Sequence, residues 1–157
     1  MGNALYLVLE HVFTGIASRV CCDHGKSASQ RENKGGLSML YQDASNTPRE
    51  RAEDLLSRLT LREKVGQLNQ RLYGFSAYTR EGEDISLSQE FTEEVERYSG
   101  LGVLYGLYRA DPWSQRDYSN GLYGKYMKRA YNLAQKYVVE HSRFGIPMLL
   151  STECPHG

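Results

Sequence analysis

A carboxylate follows a short apolar segment near the C-terminal end of this chain. The segment runs from Ile146 to Leu150, and Glu153 and His156 come directly after it. A continuous apolar run between turn signals is typical of a strand that is buried on both faces, as in a parallel sheet. Polar residues just beyond the carboxyl ends of such strands form the sites of many α/β enzymes. The pattern therefore predicts that Glu153 belongs to a functional site and that the chain is part of an enzyme.

Two helix start signals lie further upstream. Thr47 and Glu50 have the spacing of a capping box, as do Thr60 and Glu63. The first signal, with proline at the first helical position, predicts a helix whose apolar face carries Ala52, Leu55, Leu56 and Leu59. The second predicts a helix that buries Leu61, Val65 and Leu68.

Helices and strands alternate through the rest of the chain. We expect a strand end and loop over 69–85, a helix from Ser86 to a stop at Gly100, and strands over 103–108 and 146–150. A long helix over about 122–141 separates these strands. The inward positions of the two helices are Leu87, Phe91, Val95, Tyr98, Tyr126, Ala130, Leu133, Tyr137 and Val138. Helical crossovers between short strands imply parallel pairing, and this pattern fits either the start of a (β/α)8 barrel or a doubly wound sheet.

Four short motifs stand in a defined order between Arg58 and Gly157. They are LTLREKVGQL at 59–68, GLGVL at 100–104, NLAQ at 132–135 and GIPMLLSTECPHG at 145–157. Their order and spacing resemble the opening of the N-terminal domain of glycoside hydrolase family 3, the β-glucosidase and β-xylosidase group. The resemblance covers about two-thirds of the chain, and only the first part of a longer family architecture.

This resemblance implies a fold and an activity. The fold is a partial (β/α)8 TIM-type barrel, about the first three βα units, formed by residues 39–157. The activity is retaining hydrolysis of β-linked glycosides, in which one carboxylate forms a glycosyl-enzyme and a second acts as acid and base. By the same resemblance both carboxylates lie outside this chain. We therefore expect no catalytic residue here, and no activity from the 157 residues alone.

Glu153 is the one site residue that the resemblance carries over. Family members place an acidic residue here, where it accepts hydrogen bonds from hydroxyls of the bound sugar, and such charge-assisted bonds are strong. Glutamate rather than aspartate is similar to the xylosidase pattern, although glutamate also occurs in glucosidases. The alternative role of Glu153 is to cap a helix or pair with a cation. His156 is expected to support the strand-to-loop turn rather than to transfer a proton.

Three further residues follow the strand over 103–108. Arg109 and Asp111 are expected either to contact substrate or to form a surface ion pair. Trp113, the only tryptophan of the chain, either offers a face to a sugar ring or packs in the loop beside Pro112. The tyrosines are expected to be core and interhelix residues.

The first 38 residues differ from the rest. They lack the basic start of a signal peptide, and Glu10 and His11 interrupt their apolar stretch. Lys34-Gly35-Gly36 can be encoded by a purine-rich run that resembles a bacterial ribosome-binding site, which makes Met39 a candidate start. We therefore expect residues 1–38 to be a non-native extension; the alternative is a genuine disordered one.

Composition limits the possible partners and cofactors. Positive and negative residues balance at 19 each, which argues against nucleic-acid and anionic-membrane partners. The three cysteines, Cys21, Cys22 and Cys154, lack metal-ligand spacing, so neither a metal nor another cofactor is expected. Reduced thiols point to a cytoplasmic protein. The expected partner of the complete enzyme is a β-linked oligosaccharide or glycoside.

A second class of function remains open. The chain is expected to be a fragment of a glycoside hydrolase, but it also fits a short, non-catalytic carbohydrate-binding or interaction module. Coding sequence that continues into a nucleophile motif would favour the first function, and a stop codon after Gly157 the second.

Overall fold

The computed structural model describes residues 39–152, which divide between Leu59 and Thr60 into two compact units. The N-terminal unit contains a 3-10 turn, Leu40–Gln42, and helix α1, Pro48–Arg58. The capping box of Thr47 and Glu50 is confirmed, since each side chain accepts a hydrogen bond from the other residue's backbone N–H. Ala52, Leu55 and Leu59 are buried on the predicted face, and Leu56 is half-buried.

The second unit is a mixed α/β structure with three helices and two small sheets. In chain order its elements are α2 (Leu61–Gln67), β1 (Tyr78–Glu81), β2 (Asp84–Leu87), α3 (Gln89–Tyr98), β3 (Val103–Tyr105), α4 (Lys125–Glu140) and β4 (Leu149–Ser151), with a 3-10 turn at Gly74–Ser76. Strands β1 and β2 form an antiparallel hairpin. Strands β3 and β4 are parallel, as predicted, and α4 connects them. No closed barrel is present within residues 39–152.

A single parallel bridge adds a third segment to the β3–β4 sheet. Tyr73 pairs with Tyr105 on β3, and Tyr105 also pairs with Ser151 on β4. Because a strand has one partner on each side, β3 lies between the Tyr73 segment and β4. The order in space thus repeats the order in sequence.

The segment predicted as a loop and helix start is instead the β1–β2 hairpin. Gly82 has φ +60°, which lets the chain turn between the strands, and Ile85 and Leu87 alternate with exposed residues on β2. The prediction that a helix starts at Ser86 is wrong by two residues, because Ser88 is the cap: its Oγ accepts a hydrogen bond from the Phe91 N–H at 3.2 Å.

The predicted buried face of α2 is also wrong. Leu61, Val65 and Leu68 are 78%, 45% and 47% exposed, whereas Glu63 and Gln67 are buried. Gly66 on the buried face lies so near α3 that a Cβ there would come within 2.7 Å of Tyr98 Cβ. Close packing at Gly66 and the ion pair of Glu63 with Arg143 therefore decide which side of α2 faces inward.

The core of this unit lies between the helices α3 and α4 and the two sheets. Phe91 and Val95 on α3 are fully buried, as predicted. On α4, Tyr126, Ala130 and Val138 are buried as predicted, Ala134 joins them, and Leu133 and Tyr137 are half-buried. Strand β3 ends at Tyr105, earlier than predicted, because Gly106 leaves the strand conformation with φ +72°.

Candidate functional site

The carboxyl ends of β3 and β4 lie side by side. Tyr105 pairs with Ser151, and the backbone N–H of Gly106 donates to the Ser151 carbonyl oxygen at 2.8 Å. The bridge to Tyr73 brings a third chain segment to the same edge. This edge is where parallel α/β proteins place ligand-binding groups.

The loop after β3 begins with a turn at Gly106 and continues into an ion pair. Arg109 Nε donates to Asp111 Oδ2 at 2.6 Å, and Arg109 Nη1 donates to the Tyr105 hydroxyl at 3.2 Å. The predicted alternative of an Arg109–Asp111 ion pair is therefore realised, with each side chain about one-third exposed. The bond from Asp111 raises the pKa of Arg109, so its guanidinium carries a full charge.

Asp111 also fixes the shape of this loop. Its Oδ1 accepts a hydrogen bond from the Ser114 N–H at 2.8 Å, and the Asp111 N–H donates to Ser114 Oγ at 3.0 Å. The backbone bond from Ser114, followed by the bond from Arg109, lowers the pKa of the Asp111 carboxyl. The carboxylate therefore remains ionised and keeps the loop between Arg109 and Ser114 closed.

Three aromatic rings converge beside this ion pair. Trp113 makes edge-to-face contacts with Tyr73 and Phe75, both with ring centroids 5.1 Å apart, and Tyr73 stacks on Phe75 at 5.3 Å. The Arg109 guanidinium lies over the Trp113 ring, 4.5 Å from its centroid, in a cation–π contact. Tyr73 and Trp113 nevertheless remain 46% and 55% exposed. Large aromatic side chains exposed together are unusual unless they serve an interaction.

Tyr73, Trp113 and Arg109 border a shallow, open cavity of about 480 Å³. Its walls are Gln70, Tyr73, Tyr105, Arg109 and Trp113. Aromatic walls with a few polar groups are typical of small-molecule sites, and the volume lies within the usual range for them.

Arg116 and Arg80 connect the later part of the loop after β3, residues 116–121, to the segment at 75–78 and to β1. Arg116 donates to the Phe75 carbonyl oxygen at 2.6 Å and to the Tyr78 carbonyl oxygen at 2.9 Å. Arg80, buried on β1, donates to the carbonyl oxygens of Gly121 and Tyr118 at 2.8 and 2.7 Å. These bonds hold the loop and the Phe75 segment, whose ring stacks on the wall residue Tyr73, in one arrangement.

Three of the predicted site residues, Arg109, Asp111 and Trp113, lie in the described part of the chain. Arg109 and Trp113 line the cavity, and Asp111 reaches it through Arg109. Glu153 and His156 lie outside the described residues, so their predicted roles stay predictions.

Sequence reasoning missed three wall residues: Gln70, Tyr73 and Tyr105. The tyrosines were expected to be core and interhelix residues; Tyr41, Tyr78 and Tyr126 are buried, but Tyr73 and Tyr105 line the cavity. The available signal was position: Tyr105 ends an apolar strand segment, where side chains at the carboxyl end become accessible.

The described part of the chain shows neither a metal-binding cluster nor a membrane-spanning helix. Residues 39–152 hold no cluster of three or more His, Cys, Asp or Glu side chains suited to a metal ion. None of the helices in this range combines the length and apolar character needed to cross a bilayer. The cysteines all fall outside the range.

Comparison with known proteins identifies a similarity to part of a protein with a xylosidase name. The chain is 28% identical over 117 residues to a curated protein of Formosa agariphila named "Putative beta-xylosidase". The match covers 74% of this chain and 14% of that protein, so the chain spans about one-seventh of the relative's length. No protein-family model matches the chain, and no solved structure matches it significantly. The chain is thus similar to part of a protein with a glycosidase name.

Proposed function

We propose that this chain is the first part of the catalytic barrel of a retaining β-glycosidase of the family 3 type, which cleaves β-xylosides or β-glucosides. The similarity over 117 residues to the xylosidase-named protein carries this proposal. The four ordered motifs between 59 and 157, which resemble the opening of the family 3 barrel domain, also support it.

The sheet order supports the barrel part of the proposal. The Tyr73 segment, β3 and β4 are parallel neighbours in sequence order, with α3 before β3 and α4 before β4. A (β/α)8 barrel requires this order, and one half of a doubly wound sheet has it as well, so the family resemblance carries the preference for the barrel.

In the proposed reaction this chain binds and orients the substrate. Glu153 accepts hydrogen bonds from hydroxyls of the sugar that is cleaved, and the Arg109–Asp111 pair and Trp113 contact the substrate nearby. The nucleophile and the acid/base come from the remainder of the complete protein, as retaining hydrolysis requires two carboxylates about 5–5.5 Å apart. His156 supports the turn after β4.

A non-catalytic carbohydrate-binding module is the second candidate. The cavity supports this candidate, because all of its wall residues lie between positions 70 and 113 and no part of a longer protein is needed to form it. Glycosidase activity of the complete gene product, with a downstream aspartate nucleophile whose replacement abolishes turnover, would exclude this candidate.

The test of the proposed function is Glu153→Gln in the complete protein, assayed on aryl β-xyloside and aryl β-glucoside. Loss of a charge-assisted bond costs about 2–4 kcal/mol of transition-state binding, so kcat/KM falls roughly thirty- to a thousandfold. Glu153→Asp is milder and shifts preference toward the glucoside, because its shorter side chain leaves room for a hydroxymethyl group.

Glu140→Gln is the matched control, since Glu140 is an exposed glutamate at the end of α4. It leaves kcat/KM unchanged. Near-parent kcat/KM of Glu153→Gln on both substrates contradicts the role of Glu153, and no hydrolysis of either substrate by the parent protein contradicts the proposed function.

A further inference from the structure

We propose that the outer edge of β4, the side that faces away from β3, receives a further parallel β-strand from the remainder of the complete protein. Gln135 on α4 sets the register of this strand, because it already covers the edge at Met148. The inference rests on the proposed function for the existence of further barrel strands. It adds where the next strand pairs and which side chain decides this.

The backbone groups of β4 alternate between its two edges. The Leu149 N–H donates to the Gly102 carbonyl oxygen at 2.9 Å, so Leu149 uses the edge toward β3. Successive residues of an extended strand direct their N–H and C=O groups to opposite edges. Met148 and Leu150, which flank Leu149, therefore direct theirs to the outer edge.

Gln135 occupies the first of these two outer positions. Its Oε1 accepts the Met148 N–H at 2.9 Å, and its Nε2 donates to the Met148 carbonyl oxygen at 3.0 Å. The side-chain amide thus makes both hydrogen bonds that a neighbouring strand would make at Met148. Gln135 Nε2 also donates to the Tyr131 hydroxyl at 3.0 Å, one helical turn earlier, and this bond holds the amide in its orientation.

The second outer position, Leu150, is open. Within residues 39–152 no strand pairs with the outer edge of β4. Leu150 is the Cα partner of Leu104, so the two side chains are neighbours on one face of the sheet. Leu104, in the middle strand, is fully buried, whereas Leu150 is 38% exposed. A strand beside β4 would cover the outer flank of Leu150, as β4 covers that of Leu104.

A strand from the same complete protein is the occupant that fits this edge. The chain spans 14% of the length of the relative that it matches, so a complete protein of that kind has ample chain to supply the strand. The Tyr73 segment, β3 and β4 are added to the sheet in chain order on one side, and a later strand extends this order at β4. Open strand edges favour aggregation, and natural proteins cover them.

A cap at Met148 alone also fits the geometry of a closed barrel. Barrel closure requires neighbouring strands to be staggered, so the beginning of one strand extends past the beginning of its neighbour. Met148 directly precedes β4, and its buried backbone groups then need a partner other than a strand. Gln135 supplies this partner, which leaves Leu150 as the first outer position for the incoming strand.

Hydrogen exchange of the complete protein, measured by mass spectrometry at single-residue resolution, tests the proposal. We expect the amides of Met148 and Leu150 both to exchange slowly in the parent protein. Gln135→Leu is expected to accelerate exchange at Met148 about threefold to tenfold and to leave Leu150 unchanged, because only Met148 loses a hydrogen bond.

Three results would overturn the proposal. Rapid exchange of Leu150 in the parent protein shows that no strand pairs there. Unchanged exchange of Met148 in Gln135→Leu shows that something other than Gln135 covers this position. Equal acceleration of both amides shows a general loosening of β4 and removes the role of Gln135 in the register.

Gln89→Leu is the matched control, because Gln89 is an exposed glutamine at the start of α3 whose amide donates to Glu93. It leaves both exchange rates unchanged. Circular dichroism checks that each variant is folded, and if Gln135→Leu is not, Gln135→Ala replaces it with the same expectation. The Leu150 rate in the parent protein needs no variant, so the strand is tested in either case.

The alternative occupant is a second copy of the protein. The complete protein is diluted through a series of concentrations while light scattering follows its mass. Protection of Leu150 that is independent of concentration supports a strand of the same molecule. Protection that is lost together with a dimer assigns the edge to a second copy and overturns the proposed occupant.

These outcomes separate this inference from the proposed function. A slowly exchanging Leu150 in a complete protein without glycosidase activity retains the strand and removes the enzyme. Activity on aryl glycosides with a rapidly exchanging Leu150 retains the enzyme and removes the strand at this edge.

Discussion

Glu63 at the start of α2 and Arg143 after α4 form a two-point ion pair across 80 residues of sequence. Arg143 Nε donates to Glu63 Oε1 at 2.8 Å, and Nη2 donates to Oε2 at 2.6 Å. The same carboxylate accepts the Thr60 N–H at 2.7 Å, so the capping group of α2 also holds the segment that leads into β4. Glu63 is 7% exposed and Arg143 50%.

Removing the cation is therefore expected to destabilise the fold. Arg143→Met leaves a buried carboxylate with only its Thr60 partners, which should lower the free energy of unfolding by about 1–3 kcal/mol. Urea denaturation followed by circular dichroism measures the loss. Arg49→Met is the control, because the exposed Arg49–Glu53 pair on α1 contributes less than about 1 kcal/mol. Equal effects of the two substitutions would contradict the special role of Arg143.

The same pair predicts a loss of stability in acid. The bonds from Arg143, followed by those from Thr60, lower the pKa of Glu63 from 4.5 to about 2. A lowered pKa favours the folded state above the unfolded value and loses that contribution as pH falls toward the folded value. The pair should thus contribute about 3 kcal/mol at neutral pH and lose it between pH 4.5 and about 2.

Unfolding free energies measured at intervals from pH 6 to pH 3 check this expectation. Glu63→Gln removes the titrating group, so its stability should fall less steeply across that range than that of the parent. Parallel curves would show that other carboxylates cause the acid loss.

Gly102 is predicted to be intolerant of any side chain. A Cβ at this position would lie directly against the Gln67 carbonyl at the end of α2, where the Gly102 N–H donates to the Gly66 oxygen at 3.0 Å. Gly102→Ala should therefore destabilise the fold by at least about 3 kcal/mol or prevent folding, since backbone atoms must move. Soluble yield and denaturation midpoint report the effect.

The control for this substitution is Gly82→Asn in the hairpin turn. Gly82 has φ +60° with no atom within 4 Å of a Cβ, so a side chain there meets backbone strain but no clash. It should cost about 1 kcal/mol or less. A larger loss of stability for Gly82→Asn than for Gly102→Ala would show that backbone conformation, and not close packing, limits substitution at these glycines.

Arg80 is predicted to be essential for the loop after β3. It is 6% exposed and donates to the carbonyl oxygens of Gly82, Tyr118 and Gly121. Arg80→Met removes these donors and leaves the carbonyl oxygen of the buried Gly121 without its partner, which should cost about 1–3 kcal/mol. Arg80→Lys should recover only part of the loss, because an ammonium group lacks the planar fork of donors. Thermal unfolding of the two variants beside the parent measures the difference.

Local signals in the sequence determined most of the helices. Both capping boxes formed as predicted, because their hydrogen bonds join residues three positions apart and need no distant partner. Phe91 and Val95 on α3 and most of the buried positions on α4 followed from helical spacing. Leu87, predicted on the same face, lies on β2 instead, and the buried Glu94 on α3 was not predicted. Parallel pairing of β3 and β4 followed from the helix between them.

Only the tertiary structure decided which face of α2 is buried and which side chains meet at the cavity. On α2 the apolar stripe of Leu61, Val65 and Leu68 is exposed, and the opposite face is buried. This is because Gly66 permits close approach to α3 and Arg143 neutralises the buried Glu63. At the cavity, Tyr73 and Trp113 are 40 positions apart in the sequence, and their rings lie 5.1 Å apart. Periodicity describes neighbours along one element, whereas these contacts depend on the pairing of Tyr73 with β3 and on the loop that Asp111 holds.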